Sequence, residues 1–115
     1  MNAILKNIYE DLLELSSTDM QKQLWLGGSS NEISSFSELM SRLFDDSHFD
    51  DFVDRDAENL GLKAELVLEL QNLRDLLNHY KEKDTDLEII TDPKWLAVVT
   101  QAVKVLNIWN ASLNE

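Results

Sequence analysis

The sequence predicts an all-α protein, a compact bundle of five or six helices that forms a single domain over residues 1–115. Two observations carry this prediction. Glycine and proline, which interrupt helices, occur only three times and once. Apolar residues also recur at intervals of three and four along most of the chain, which is the spacing of one helix face. A chain of this length can bury a core of its own.

Each helix is placed by its apolar stripe and by capping residues at its ends. Capping boxes are expected at Thr18 and at Ser35, and Ser47 is expected to cap a short segment. Asp92 followed by Pro93 is a strong start signal for the last helix. The predicted helices span residues 2–15, 19–26, 35–44, 48–53, 62–80 and 93–109.

Three shorter stretches lie between these helices. Residues 29–32 read as a turn and residues 54–61 as a loop. Residues 87–90 are a short apolar run that fits either an extended strand or a helical turn. The C-terminal helix is apolar nearly all round, so we expect it to be the central helix of the bundle.

The most unusual stretch is residues 45–58, DDSHFDDFVDRDAE, which we call the acidic segment. It contains seven acids and one arginine, a local charge of −6 that is half of the chain's −12. Such self-repulsion costs folding free energy, which a binding role would explain. The candidate partner-binding residues are Asp45, Asp46, Phe49, Asp50, Asp51, Phe52, Asp54 and Asp56. For each phenylalanine taken singly, packing in the core is the commoner outcome.

The net charge also restricts the class of partner. A formal charge of −12 and a pI near 4.4 argue against direct binding of nucleic acid or an anionic membrane, since both would be repelled. They favour a basic protein, although small proteins are also acidic simply for solubility. The absence of cysteine and of a signal-peptide pattern at the N-terminus predicts a cytoplasmic protein. The longest apolar-looking run, residues 95–109, is too interrupted to span a membrane.

Catalytic and metal-binding patterns are weak. His48 and His79 have no paired motif around them, so we expect neither an enzyme nor a cofactor. Acids at residues 54, 56, 58 and 65 match positions 1, 3, 5 and 12 of a calcium-binding loop. However, Asn59 stands where the sharp turn of that loop needs glycine. We therefore expect no metal site.

One region resembles a known group of proteins. Residues 25–55, WLGGSSNEISSFSELMSRLFDDSHFDDFVDR, are similar to small acidic helical immunity proteins of bacterial toxin systems, including contact-dependent growth inhibition. The resemblance lies in the SSFSEL helix entry and in LFDD followed by further aspartates. It implies an inhibitor that binds a toxin's basic C-terminal nuclease domain inside the producing cell. We expect the protein to be a monomer or one partner of a 1:1 complex. Alternatives are a nucleic-acid mimic with anti-restriction activity, a secretion chaperone or helical adaptor, and a calcium sensor.

Overall fold

The computed structural model describes residues 2–27 and 34–113, and within these ranges the chain forms seven helical segments and no strand. They are α1 (Ala3–Leu15), α2 (Thr18–Trp25), α3 (Phe36–Met40, continuing as a π-helix over Ser41–Asp46), α4 (Phe49–Asp51, continuing as a π-helix over Phe52–Asp56 and an α-helical turn over Ala57–Asn59), α5 (Ala64–His79), α6 (Asp86–Ile90) and α7 (Pro93–Leu113). The all-α prediction is confirmed. The helix beyond the predicted six is α6. It contains residues 87–90, the short apolar run for which the sequence fitted either a strand or a helical turn.

The C-terminal helix α7 is central, as expected. It packs along α5 and also contacts α1 and α6. Its inward face is Trp95, Val98, Ala102, Val105, Leu106 and Trp109, all buried in a single apolar core. Leu96 and Val103 are exposed, so one side of α7 faces solvent despite its apolar composition. None of the helices that the structure describes is both long enough and apolar enough to cross a membrane.

Helix caps agree with the sequence at two sites and differ at two. The Ser35 hydroxyl accepts a hydrogen bond from the Glu38 amide, and the Asp92 carboxylate accepts one from the Lys94 amide. At α2 the cap is Ser17 rather than Thr18, because the helix starts one residue earlier than expected. The position before α4 is His48, and neither it nor Ser47 caps that helix through its side chain.

The connection between α4 and α5 is shorter than predicted. The loop expected over residues 54–61 is wrong, since the chain stays helical to Asn59 before a turn at Gly61. Gly61 has φ of +84°, a left-handed conformation that glycine adopts without steric cost. Helix α5 then begins at Ala64 instead of Leu62. The turn expected over residues 29–32 lies outside the described residues.

Candidate partner-binding surface

The acidic segment is a helix with one buried face and one charged face. Phe49, Phe52, Val53 and Ala57 point inward, and Phe49 and Phe52 are 0% exposed. Their rings stack with centroids 6.4 Å apart. These two phenylalanines are therefore core residues and cannot serve as surface anchors for a partner, which corrects their place among the candidate binding residues. The spacing of three and four that buries them turns the aspartates between them outward.

Part of the charge of this segment is compensated from α5. Arg74 lies 2.9 Å from an Asp54 oxygen and 3.7 Å from an Asp50 oxygen, and its Nε donates a hydrogen bond to Asp75. The Arg74 hydrogen bond holds the pKa of Asp54 below its ordinary value. Sequence reasoning missed this residue because it is 20 positions from Asp54. The sequence feature that could have pointed to Arg74 is its place directly after Leu73, a residue of the buried apolar stripe of α5.

The remaining acids of the segment form no ion pair with α5 among the described residues, although Arg55 within the segment attracts Asp51 at longer range. Asp56 pairs with its neighbour Arg55, at 3.0 Å. Four exposed acids form no ion pair with any cation that the structure describes, and we call them the open carboxylates: Asp45, Asp46, Asp51 and Glu58. Asp45 accepts a long hydrogen bond from the Ser41 hydroxyl, which leaves its charge in place. The structure thus divides the predicted set into buried phenylalanines, compensated aspartates and open carboxylates, and it adds Glu58, which was not in that set, to the last group.

The backbone of the same region is irregular. Two π-helical stretches, Ser41–Asp46 and Phe52–Asp56, lie within or beside the acidic segment. Between them, His48 has φ of 49° and ψ of 56°, and it is the only non-glycine residue with positive φ in the described ranges. π-turns are rare and occur frequently at functional sites, where backbone strain also concentrates. The backbone that carries the acidic surface therefore departs from regular α-helix geometry at these positions.

Replacing His48 with glycine is expected to raise the free energy of unfolding by about 0.5–1 kcal/mol, because glycine adopts the left-handed conformation without a Cβ clash. His48→Ala is the matched control, since it removes the imidazole but keeps the Cβ and the strain. Urea denaturation of both variants makes the comparison. Equal stability of the glycine and alanine variants would show that His48 is not strained.

An acidic cleft adjoins this segment between α1 and the π-helical part of α3. It has a volume of about 340 Å³, and it is lined by Asn7, Glu10, Asp11, Glu14, Arg42, Asp46 and Ser47. Asp46 belongs both to the cleft and to the open carboxylates. The cleft therefore extends the acidic surface onto the N-terminal helix, a contribution that the sequence did not predict.

Glu14 fixes the floor of the cleft. One of its carboxylate oxygens accepts hydrogen bonds from Trp25 Nε1 at 2.9 Å and from the Ser34 hydroxyl at 2.7 Å. The other accepts from Arg42 Nη2 at 2.8 Å. Because Glu14 is 6% exposed and both of its oxygens are bonded, its role is structural. It ties α1, α2 and α3 together and holds the guanidinium of Arg42 in position.

Asp11 lies one helical turn before Glu14 on α1 and has fewer polar partners than Glu14 has. It is 8% exposed, yet it accepts no hydrogen bond from any residue that the structure describes. Arg42 Nε lies 3.2 Å from its Oδ1 but is not aligned for a hydrogen bond and is itself buried without a partner. Burial raises the pKa of Asp11 to about 6; Arg42 opposes this, and the carboxylates of Glu14, Glu10 and Asp46 add to it. Asp11 is thus a buried carboxyl at the edge of an open cleft.

The raised pKa of Asp11 predicts how the free energy of unfolding changes with pH. Between the ordinary value of 3.8 and about 6, the native state binds more protons than the unfolded chain, so stability falls as pH rises through this window. Asp11→Asn removes this penalty and is expected to raise the free energy of unfolding at pH 7 by about 1–3 kcal/mol. Denaturation from pH 4 to pH 7 measures it, with the exposed Asp84→Asn as control. A less stable Asp11→Asn at pH 7 would mean that the pairing with Arg42 outweighs burial.

The calcium-loop pattern does not form a loop. Asp54, Asp56 and Glu58 lie within about one turn of continuous helical backbone in α4, whereas a calcium-binding loop needs an extended turn around the ion. Among the described residues, no group of three or more histidines and acids is arranged to hold a metal ion.

Three comparisons with known proteins give no further assignment. No protein-family model matches the chain, and neither a curated protein nor a solved structure is significantly similar to it. The resemblance of residues 25–55 to immunity proteins therefore stays a prediction from the sequence. What can be said of function rests on the acidic segment and on the cleft beside it.

Proposed function

We propose that this protein is a binding module that holds a basic protein partner on its acidic surface. In the form suggested by the sequence resemblance, it is an immunity protein and the partner is a toxin with a basic nuclease domain. The observation that carries the proposal is the set of open carboxylates, which are exposed and unpaired among the described residues although they lie close together in the chain. A solvated structural surface has no need of such a concentration of one charge.

Electrostatics explains how such a module would act. A cluster of like charges attracts a basic partner over a distance of about a Debye length, roughly 8 Å at physiological salt, and speeds association. The cleft of a nuclease that binds phosphates presents lysine and arginine side chains, which carboxylates can pair with. A protein placed there excludes nucleic acid by both charge and volume. No catalytic step by this chain is needed.

Apolar contact must come from residues other than Phe49 and Phe52. The described surface offers Leu60 and Leu68, which are exposed beyond the end of the acidic segment. Leu68 also lines a depression of about 400 Å³ beside Glu58, together with Leu62, Ala64, Val67 and Gln71. Aliphatic side chains next to a charged cluster supply the desolvated contact area that holds a complex after charge has brought the partners together.

The test begins with capture of the partner from the native host and purification of that partner. Inhibition of its activity is then compared between two variants with the same net charge of −8, four above the natural −12. The patch variant is Asp45→Asn, Asp46→Asn, Asp51→Asn and Glu58→Gln. The control variant is Asp19→Asn, Glu38→Gln, Glu82→Gln and Asp84→Asn, at exposed acids outside the acidic segment.

We expect the natural chain and the control variant to inhibit a single basic toxin, and the patch variant to lose inhibition. Both variants keep Asp50 and Asp54, so that Arg74 is not left without its partners. Equal inhibition by both variants, or a partner that is not basic, would contradict the proposal. Inhibition of several unrelated DNA-binding proteins would instead support the nucleic-acid mimic.

A further inference from the structure

We propose that the groove between the end of α4 and the start of α5 receives a large apolar side chain of the partner together with a neighbouring lysine or arginine. The inference rests on the proposed function, because it states which part of a basic partner makes the apolar contact. The groove has a volume of about 400 Å³. We call it the aliphatic groove, and its lining residues are Glu58, Leu62, Ala64, Val67, Leu68 and Gln71.

The walls of the aliphatic groove are largely apolar. Leu62 and Val67 are partly buried against the core, whereas Leu68 is 54% exposed. Leu60, in the adjoining turn, is 43% exposed. A single exposed leucine is ordinary on a protein surface, but here aliphatic side chains from a turn and from a helix meet at a concave site. Such a concave site with apolar walls and few polar groups is the usual form of a binding pocket.

The fold holds this groove open before any ligand arrives. α4 ends in a Schellman turn, in which the Leu62 amide donates to the Ala57 carbonyl oxygen and the Gly61 amide donates to that of Glu58. On the other wall, Gln71 Nε2 donates to the carbonyl oxygen of Val53 at 3.2 Å, which ties α5 to α4. A preformed groove binds without paying the entropy of ordering a loop.

The polar groups that line the groove offer acceptors to an incoming group. Glu58 is one of the open carboxylates, and the Gln71 oxygen accepts no hydrogen bond from the described residues. No lysine or arginine is among the lining residues, and Lys63 lines a separate depression instead. Arg74, one turn beyond Gln71, is already paired with aspartates. Apolar walls beside these acceptors fit a ligand that has an apolar body and a cationic donor.

Other occupants fit the groove less well. A two-fold contact between copies of this chain would bring the same surface of each copy together, including Glu58, and each copy carries a charge of −12. An uncharged apolar ligand would cover Leu68 but leave the carboxylate of Glu58 beside it without a cation. A basic segment meets both requirements, because its apolar side chain covers the leucine and its cation pairs with the carboxylate.

The experiment uses the whole chain and needs no knowledge of the partner. The methyl groups of the isotope-labelled protein are followed by NMR at pH 7 while 4-phenylbutylamine is added. Its matched probes are 4-phenylbutanoate, which has the opposite charge, and n-butylamine, which lacks the ring. We expect millimolar binding of 4-phenylbutylamine and much weaker binding of the other two. The shifts should concentrate at the methyl groups of Leu62, Val67 and Leu68.

Matched variants locate the binding. Leu68→Gln removes the exposed apolar wall and keeps a good helix former, so binding of 4-phenylbutylamine should weaken about fivefold. Glu58→Gln should weaken it about threefold, as expected for an exposed ion pair. Leu87→Gln is the control, since Leu87 is 55% exposed but lies on α6, and it should bind as the natural protein does.

Four results would overturn the inference. They are shifts spread over all exposed leucines, equal binding of 4-phenylbutanoate, equal binding of n-butylamine, and undiminished binding by Leu68→Gln. A dimer in solution that Leu68→Gln dissociates would also overturn it, because the groove would then belong to a second copy of the chain.

The outcome for the groove is separable from that of the proposed function, because Leu68→Gln leaves every carboxylate in place. Affinity for the purified partner should fall about fivefold in this variant, with the salt dependence of the natural protein. A basic partner that binds Leu68→Gln normally but loses affinity for the patch variant would remove the groove and leave the binding module standing. Specific binding of 4-phenylbutylamine in the groove together with a captured partner that is not basic would refute the proposed function and retain the preference of the groove.

Discussion

Replacing Glu14 with alanine is expected to lower the free energy of unfolding by about 3–5 kcal/mol, the range found when one partner of a buried ion pair is removed. The change deletes the acceptor for three donors, Trp25 Nε1, the Ser34 hydroxyl and Arg42 Nη2. Trp25 and Ser34 are buried, so their donors would lose an acceptor that only water entering through the cleft could replace. Chemical denaturation at pH 7 gives the value.

Two further variants separate charge from hydrogen bonding at this position. Glu14→Gln keeps the side-chain length and one oxygen acceptor, so its cost should lie between those of the natural chain and Glu14→Ala. In the Glu14→Gln background Arg42 keeps Asp11 as an ion-pair partner but has lost the charge of Glu14, so Arg42→Met should cost less stability there than in the natural chain. A cost below about 1 kcal/mol for Glu14→Ala, the level of an exposed ion pair, would show that the network is not a structural tie.

Replacing Gln21 with leucine is expected to lower the free energy of unfolding by about 2–4 kcal/mol, because it leaves several buried polar groups without partners. The Gln21 amide is 0% exposed and donates to the carbonyl oxygens of Glu14 and Leu15, both at 3.0 Å. Its oxygen accepts a hydrogen bond of 2.9 Å from Trp95 Nε1 on the central helix. One side chain thus connects α2 with the C-terminal end of α1 and with α7.

A double-mutant cycle measures the Trp95 share of this cost. Trp95→Phe alone leaves the Gln21 oxygen without its donor, and Gln21→Leu alone leaves the indole N–H without its acceptor. The double variant removes both groups and should be less destabilised than the sum of the single changes, with a coupling of about 1 kcal/mol or more. Strict additivity would mean that the hydrogen bond between α2 and α7 contributes nothing to stability.

The helical architecture could be predicted from local signals in the sequence. The stripe of α5, Leu66, Leu70, Leu73 and Leu77, is buried as its spacing predicts. The capping box at Ser35 and the pair Asp92–Pro93 mark helix starts because they depend on neighbouring residues alone. Residues 54–61 were misread because their aspartates and glycine resemble a loop, whereas Val53 and Ala57 continue a buried face that keeps the chain helical.

The acidic surface could be predicted only in part. The charge of the surface follows from local composition, but which of its acids are paired depends on contacts between distant elements. Arg74, 20 residues from Asp54, removes two aspartates from the uncompensated set. Asp11 and Glu14 are polar positions on an amphipathic helix, and nothing local shows that Arg42, 28 residues beyond Glu14, joins them in a cleft. Whether Phe49 and Phe52 face the core or the solvent was equally undecided by spacing alone.

The stability predictions also separate two kinds of acid. Glu14 stabilises the fold, so its removal should be costly. Asp11 is expected to destabilise the native state at neutral pH, so its removal should increase stability.

The most direct test of the acidic surface is the salt dependence of affinity for the purified partner. We expect the patch variant to bind about tenfold or more weakly at low salt, with a flatter plot of log Kd against log salt concentration, because four charges no longer attract the partner. The control variant should retain the affinity and slope of the natural protein. If both variants weaken equally, net charge alone governs binding and the open carboxylates are not the interface.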